Sequence, residues 1–166
     1  MLNIFKFCYQ CANPLSYNKV NSNCIPYCYN CEKYFYSDPK LVVVVLVEHN
    51  NKLVLIKRSF EPALGKWSFP SGYVNKDEKV EKAAIREVKE ETGLDINIKK
   101  FIGLYSSDEN PIVIAAYSAI SLAGTLYSGY ETDDVKLIEI DKLFDFPFEF
   151  DQEIYNDYLK IKKNIQ

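Results

Sequence analysis

The stretch Gly72–Leu94, GYVNKDEKVEKAAIREVKEETGL, predicts a turn that leads into an amphipathic helix. Lys76–Thr92 is the predicted helix; Asn75 and Glu78 have the spacing of a capping box, and Gly93 suits a left-handed C-cap. Apolar residues recur at every fourth position and predict a face packed against a sheet, namely Val80, Ala84 and Val88.

The acidic residues near the end of this helix predict a cation site. Glu87, Glu90 and Glu91 are three and four residues apart, so their carboxylates can project to one side. Like charges at this spacing destabilise a helix unless a cation offsets them, and hard carboxylate oxygens suit Mg²⁺ or Mn²⁺. Arg86 is spaced to orient Glu87 or Glu90, and Glu78 is spaced to hold Arg86 from the other end.

A glycine at the start of the stretch separates this hypothesis from a simpler one. Gly72 permits a sharp turn and lets a backbone carbonyl approach a metal ion. The simpler interpretation is a solvated helix face of alternating Glu and Lys. That interpretation explains the lysines, but it explains neither the glycines nor Arg86.

The same residues match the pattern Gx5Ex7REUxEExGU, in which U is aliphatic, at every specified position. The stretch therefore resembles the signature of the Nudix hydrolase family. The resemblance implies an α/β fold, an α/β/α sandwich with a mixed sheet, and attack of water on a diphosphate linkage. It also implies roles in the site: Glu87 as general base or metal ligand, Glu90 and Glu91 as metal ligands, Gly72 as a carbonyl ligand, and Arg86 and Glu78 as supporting catalytic residues.

Candidates outside the helix are less specific. Glu131, in an acidic segment before the last strand, is the candidate for the additional base or ligand that many Nudix proteins have, and a solvated turn is the alternative. Other side chains are candidates for packing or for substrate contact: Trp67 as a core anchor, Phe60 and Tyr73 as stacking residues, Lys57, Arg58 and Lys66 as phosphate contacts, and His49 as a structural residue.

Hydrophobic patterning places strands around the helix. The apolar run from Leu41 to His49 predicts a strand that is buried on both faces, and Asn50-Asn51 predicts a turn into a second strand. The remaining predicted elements are strands at Lys52–Lys57, Asp95–Tyr105, Ile112–Leu122 and Val135–Ile140, and a closing helix at Asp151–Asn164 with Asp151 as its N-cap. A mixed sheet between two helices follows from this order.

All five cysteines lie in the first 31 residues and predict a separate metal-binding head. The spacing Cys8-x2-Cys11-x16-Cys28-x2-Cys31 is typical of a structural Zn²⁺ site with four thiolates. Cys24 is then either a spare thiol or an alternative ligand. Zinc knuckles usually have glycine after the second cysteine, whereas Ala12 and Glu32 follow here, and a redox or disulfide pair is the competing interpretation. We therefore expect a zinc ribbon at residues 1–37 and a Nudix domain at 38–166.

The ribbon together with the segment KRSFEPALGKWSFPSGY resembles zinc-ribbon Nudix proteins, a group that includes NADH and FAD pyrophosphatases. This resemblance implies a small-molecule nucleoside diphosphate derivative of the FAD, ADP-ribose or NADH class as substrate. NADH pyrophosphatases have a Trp- and Pro-rich segment after the helix, where this chain has YSSDENPIVIAAY (Tyr105–Tyr117), so NADH itself is disfavoured. Two rival functions are a non-catalytic nucleotide-sensing module and an RNA-directed, decapping-type enzyme.

Composition limits the partners. The net charge of −3 over 166 residues provides no broad basic field for nucleic acid, so nucleic acid is not the expected partner. The longest apolar run, Leu41 to Val47, is too short to cross a bilayer, and the first residues do not resemble a secretory signal. We expect a cytoplasmic protein without membrane association, and the tyrosine-rich composition suggests a homodimer.

Overall fold

The computed structural model describes residues 5–108, 110–142 and 144–164. The chain divides into two compact units, Met1–Asp38 and Pro39–Gln166. The first unit is a three-stranded antiparallel sheet in the order β1-β2-β3, with strands β1 (Ser16–Val20), β2 (Asn23–Cys28) and β3 (Lys33–Tyr34). The first four residues of the predicted ribbon and the last two of the predicted Nudix domain lie outside the described residues.

A seven-stranded mixed sheet forms the second unit. Its strands are β4 (Lys40–His49), β5 (Lys52–Arg58), β6 (Trp67–Ser68), β7 (Ser71–Tyr73), β8 (Asp95–Tyr105), β9 (Ile112–Ala123) and β10 (Thr132–Glu139). The main order is β10-β5-β4-β9-β8, with β6 paired to β5 and β7 paired to β4. The β4–β9 pair is parallel and the others are antiparallel, which confirms the predicted mixed sheet.

The central strand β4 explains why the sheet needs a helix on each face. Successive side chains of a strand point to opposite faces. Val43 and Val45 pack in one core cluster with helix α1 (Val80–Thr92), whereas Val44 packs in a second cluster with helix α2 (Asp151–Lys163). The apolar run was therefore correctly predicted to be buried on both faces, and the resulting arrangement is the expected α/β/α sandwich.

The first helix begins later than its sequence predicted. Asp77 has a left-handed backbone with φ 64°, which a right-handed helix cannot include. Asn75 and Glu78 instead close a separate turn, in which the Glu78 amide donates to the Asn75 carbonyl at 3.2 Å and the Asn75 amide donates to the Glu78 carboxylate at 3.1 Å. The capping-box pair thus forms a turn before Val80, and the predicted start at Lys76 was wrong. Gly93 has φ 75° and is the predicted left-handed C-cap.

The second helix is fixed to the central strand by polar contacts. Tyr158 donates to one oxygen of Glu48 at 2.6 Å, and Lys162 donates to the other oxygen at 2.6 Å. Phe150 is the N-cap of this helix and makes no side-chain capping bond, so the prediction of Asp151 as N-cap was wrong. Asp151 is the first helical residue and is almost fully buried. No helix in the described part of the chain is long and apolar enough to span a membrane.

Candidate active site and cysteine cluster

A strand of the sheet and the helix that packs on that sheet bring Gly72 and Glu87 together. Strand β7 pairs with β4 so that Gly72 is opposite Val43, and α1 packs on the same core through Ala84. A Cβ atom on Gly72 would lie 2.0–2.2 Å from the carboxyl atoms of Glu87. Any side chain at this position would displace the carboxylate, so the glycine is required for the close approach.

Arg86 joins the acidic residues of the predicted motif. Its Nε and Nη2 donate to the two oxygens of Glu78 at 2.9 and 3.0 Å. Its Nη1 donates to Glu87 at 2.7 Å and to Glu90 at 3.0 Å, and Nη2 also donates to the Tyr73 carbonyl at 3.1 Å. The fork geometry of a guanidinium makes this network possible, and an ammonium group could not reproduce it. The contacts expected from sequence spacing are therefore present, with Glu78 acting from the turn before the helix.

Burial raises the pKa of two of these carboxylates. The Glu87 side chain is mostly buried; desolvation raises its pKa, and the Arg86 contact only partly offsets this. Glu91 is 3% exposed and accepts a hydrogen bond from the Ser71 amide at 2.9 Å. Desolvation raises the pKa of Glu91 to about 8, against the lowering effect of that amide. The opposite holds for Glu78, whose pKa is lowered, chiefly by Arg86.

A loop that covers the end of α1 positions Glu131. The last carbonyls of a helix have no partner within the helix. Here the amides of Tyr127 and Gly129 donate to the carbonyls of Thr92 and Glu91 at 3.1 and 3.2 Å. Glu131 is exposed just beyond this contact, and its charge raises the pKa of both Glu87 and Glu91. The loop thus brings Glu131 close to the carboxylates of Glu87 and Glu91.

A cavity of about 690 Å³ lies against these residues. Gly72, Arg86, Glu87, Glu90 and Glu131 line it, whereas Glu91 is not among the lining residues. An apolar wall is contributed by strands β4 and β9, with side chains from Val42, Val44, Ile112 and Ile114. The cavity therefore combines an acidic edge with an apolar wall, as expected for a pocket that binds a small organic phosphate near a cation.

The secondary candidates divide between the cavity and the core. Phe60, Tyr73 and Arg58 line the cavity, whereas Lys57 and Lys66 do not. Trp67 packs against the second core cluster and lies under the Lys136 ammonium, 4.0 Å from the ring centroid, consistent with a packing role. His49 is hydrogen bonded through Nδ1 to Ser121 at 2.9 Å.

Two residues that line the cavity were not predicted from the sequence. Ser68 was not a candidate, and Asp151 was assigned only to helix capping; the position of both residues depends on tertiary packing.

The first unit brings four of its five cysteines together. The sulfur atoms of Cys8, Cys11, Cys28 and Cys31 all lie within 4.8 Å of one another. Two of the separations are 3.5 and 3.9 Å, close to the edge of about 3.8 Å expected for a tetrahedron of thiolates around zinc. All five thiols are free, so neither knuckle is a disulfide, and exposed Cys24 lies outside the cluster. The group could hold a metal ion.

Backbone amides donate to sulfurs of the first knuckle, whereas burial raises the pKa of Cys28 in the second knuckle and the contact with Cys11 raises that of Cys31. The Gln10 amide donates to the Cys8 sulfur at 3.4 Å, and the Asn13 amide is the main cause that lowers the pKa of Cys11 to about 6. Ala12 and Glu32, which replace the usual glycines, have φ 59° and φ 53°. Both knuckles therefore adopt the left-handed turn that glycine normally provides.

The glutamates are arranged differently from the cysteines. Among the described residues, the cysteines are the one group of three or more potential ligands with all ligand atoms within 4.8 Å of one another. Arg86 provides the positive charge next to Glu87 and Glu90. The donor set still fits a hard divalent cation, because the carboxylates of Glu87, Glu90 and Glu131 line one cavity beside the Gly72 backbone.

Comparisons with known proteins agree with this geometry. The chain is 33% identical over 131 residues to an ADP-ribose pyrophosphatase of Methanocaldococcus jannaschii, covering 76% of this chain and 77% of that protein. It is 28% identical to the NAD-capped RNA hydrolase NudC of Vibrio atlanticus, of which it spans 53%. The crystal structure of a NUDIX hydrolase from Nitrosomonas europaea superposes with a TM-score of 0.88 at 26% identity, covering 98% of this chain and 94% of that one. The family model for the NUDIX domain matches residues 38–157 of this chain. The chain therefore belongs to the Nudix hydrolase family, which confirms the resemblance of Gly72–Leu94.

Proposed function

We propose that the protein hydrolyses the diphosphate linkage of ADP-ribose or a closely similar nucleoside diphosphate derivative. The observation that carries this proposal is the contact of the Glu87 carboxylate with the Gly72 backbone at the acidic edge of the cavity. The ADP-ribose pyrophosphatase relative supports the substrate class, since the chain covers most of that protein. Water adds to one phosphorus atom, the bridging P–O bond breaks, and two phosphomonoesters are released.

The residues divide the work of this reaction. Glu87, Glu90 and Glu91, with the Gly72 carbonyl, are the proposed ligands of Mg²⁺ or Mn²⁺, which would neutralise phosphate charge and acidify water. Glu87 is also the proposed general base, because it lines the cavity and desolvation raises its pKa, which makes its carboxylate a stronger base. Arg86 and Glu78 hold Glu87 and Glu90 in place. Glu131 is the proposed additional base or ligand.

Arg58 is the proposed contact for the substrate phosphates. It is 7% exposed, lines the cavity, and donates through Nε to the Pro62 carbonyl at 2.7 Å. Within the described chain, no carboxylate oxygen lies within 4.0 Å of its guanidinium. A buried guanidinium without an ion pair is suited to an anionic ligand.

The cysteine cluster is proposed to hold structural Zn²⁺ in the first unit. Four thiolates leave no open position on the ion, so the site contributes to folding and not to hydrolysis. Hydrolysis is assigned to the second unit alone, because every proposed catalytic residue belongs to it.

A substrate panel tests the proposed function. Phosphomonoester products are measured with Mg²⁺ or Mn²⁺ for ADP-ribose, FAD, NADH, nucleoside triphosphates and an NAD-capped RNA oligonucleotide. We expect ADP-ribose to have the highest kcat/KM. Exclusive cleavage of triphosphates would refute the substrate class, preference for the capped RNA would support the RNA-directed alternative, and turnover of none would favour the binding module.

A further inference from the structure

Two buried polar atoms beside the cavity have no partner. Asp151 is 3% exposed and Ser68 is 1% exposed, and both residues line the cavity. Within the described residues, neither Asp151 Oδ2 nor Ser68 Oγ has a hydrogen-bond partner. Buried polar groups are nearly always paired, so two such atoms at one cavity require an explanation.

Neither a helix cap nor an ion pair explains the burial of Asp151. It does not cap α2, and no lysine or arginine nitrogen in the described chain lies within 4.0 Å of its carboxylate. Desolvation raises its pKa to about 7, although the Phe148 amide and the Arg58 charge act in the opposite direction. Burial of this carboxyl group opposes folding, whereas a ligand that donates a hydrogen bond would satisfy it.

The surroundings of Asp151 identify the kind of ligand. A phosphate is disfavoured next to the carboxylate, and a cation is disfavoured by Arg58, which acts on Asp151 electrostatically. The Arg58 guanidinium is flanked by the rings of Phe60 and Phe148, at 4.7 and 5.1 Å. The apolar wall of the same cavity accommodates a flat or weakly polar ring. A neutral group with O–H or N–H donors satisfies all these conditions.

We infer that Asp151 and Ser68 form a nucleoside subsite, in which they hydrogen bond the ribose hydroxyls or the base amino group of the substrate. The inference rests on the proposed function, because it assigns the part of a nucleoside diphosphate that is not cleaved. The acidic edge and Arg58 bind the diphosphate with its cation, and Asp151 and Ser68 bind the nucleoside. Asp151 is thus a specificity residue and takes no part in the attack of water.

The test is calorimetric titration of the full chain with AMP, a product analogue that is not cleaved, in the presence of Mg²⁺. Asp151→Ala is expected to weaken AMP binding by about tenfold or more, because a buried hydrogen bond to a charged group is lost. Asp151→Asn should also weaken it, but less, because its amide oxygen is only a neutral acceptor. The matched control is Glu153→Gln, which removes an exposed carboxylate from the same helical turn and should bind AMP like the wild type. Ser68→Ala should weaken binding less, since only a neutral hydroxyl is removed.

Thermal stability separates ligand binding from a structural role. Without ligand, Asp151→Asn should melt at the wild-type temperature or above it, because the burial of a charge is relieved. Weaker binding together with a lower melting temperature would indicate a structural role and overturn the inference. If Asp151 variants do not fold, Ser68→Ala decides: wild-type affinity for AMP in that variant would also overturn it.

Analogues separate the two possible donors. Wild-type protein should bind one of 2′-deoxy-AMP, 3′-deoxy-AMP or IMP more weakly than AMP, and Asp151→Asn should show no further loss with that analogue. Loss with a deoxy analogue assigns ribose, and loss with IMP assigns the base amino group. Equal affinity for AMP and all three analogues, or no AMP binding at all, would refute the subsite. Hydrolysis of ADP-ribose is a separate readout, so the proposed function can succeed where this inference fails.

Discussion

Glu91 shows how a single side chain can couple protein stability to pH. The carboxyl group ionises near its ordinary pKa of 4.5 in the unfolded chain, whereas burial raises the pKa to about 8 in the folded protein. Between these values the folded state binds one more proton than the unfolded state, so its free energy of unfolding decreases as pH rises. The stabilising effect is complete below about pH 4.5 and is lost as pH approaches about 8.

We predict that Glu91→Gln makes the protein less sensitive to pH in this range. Without added Mg²⁺, the free energy of unfolding of the wild type should fall more steeply between pH 5 and 8 than that of the variant. The difference in slope can reach about 1.4 kcal/mol per pH unit for one proton. Chemical denaturation at each pH measures it, with Glu81→Gln on the exposed side of α1 as control. Identical slopes for Glu91→Gln and wild type would show that Glu91 is ionised throughout.

The contacts of Arg86 could be predicted from the sequence, whereas the position of Asp151 at the cavity could not. The spacing of Arg86, Glu87 and Glu90 predicted their contacts, because neighbouring positions on one helix fix which side chains can meet. The predicted contact of Glu78 with Arg86 also forms, but from the turn before α1. Asp151 is 61 residues after Glu90 in the sequence, and its approach to the cavity depends on how α2 packs on the sheet. Its position before an apolar pattern indicated only a helix start.

At the scale of elements, the loop over the end of α1 links the helix to Glu131. A Cβ atom on Gly129 would lie 1.7 Å from the Glu90 carbonyl oxygen, so the loop approaches the helix through a glycine. The Gly129 amide also donates to the Glu91 carbonyl. Any side chain at this position must therefore push the loop, and Glu131 with it, away from the carboxylates.

We predict that Gly129→Ala lowers both stability and activity. Overpacking of this kind costs about 1–3 kcal/mol, and displacement of Glu131 should reduce kcat for ADP-ribose. Denaturation and steady-state kinetics measure the two effects, with the neighbouring exposed Ser128→Ala as control. Wild-type kcat in Gly129→Ala would indicate that Glu131 takes no part in the reaction.

The helix start shows the limit of sequence patterns for elements. The spacing of Asn75 and Glu78 is that of a capping box, and the bond between the Asn75 amide and the Glu78 carboxylate does form. The left-handed backbone of Asp77 nevertheless turns the chain before α1 begins. By contrast, the seven consecutive apolar residues from Leu41 predicted a strand buried on both faces, and Val43–Val47 of β4 are buried in this way.

At the scale of the whole molecule, the proposed zinc site belongs to the first unit and the proposed catalytic residues belong to the second. We predict that Cys28→Ser loses bound zinc and destabilises the first unit, because three thiolates hold the ion poorly. Hydrolysis of ADP-ribose should stay within about twofold of wild type, since domains with their own cores fold independently. Metal analysis and kinetics check the two parts. Cys24→Ser, at the exposed cysteine outside the cluster, should retain one zinc ion per chain.

The boundary at residues 37 and 38 stays a prediction in functional terms. Loss of hydrolysis in Cys28→Ser with an intact second unit would show that the two units act together. Absence of zinc from freshly purified wild-type protein would refute the ribbon assignment.

The most direct test of the proposed hydrolysis compares wild type with Glu87→Gln on ADP-ribose and Mg²⁺, measuring AMP and ribose 5-phosphate over time. We predict equimolar products from wild type and a loss of at least about 100-fold in kcat for the variant, as expected when a general base is removed. The melting temperature of the variant should be at or above that of wild type, because a partly buried carboxyl group is replaced by a neutral amide. Wild-type turnover by a folded Glu87→Gln protein would contradict the role of Glu87, and no products from the wild type would contradict hydrolysis of ADP-ribose.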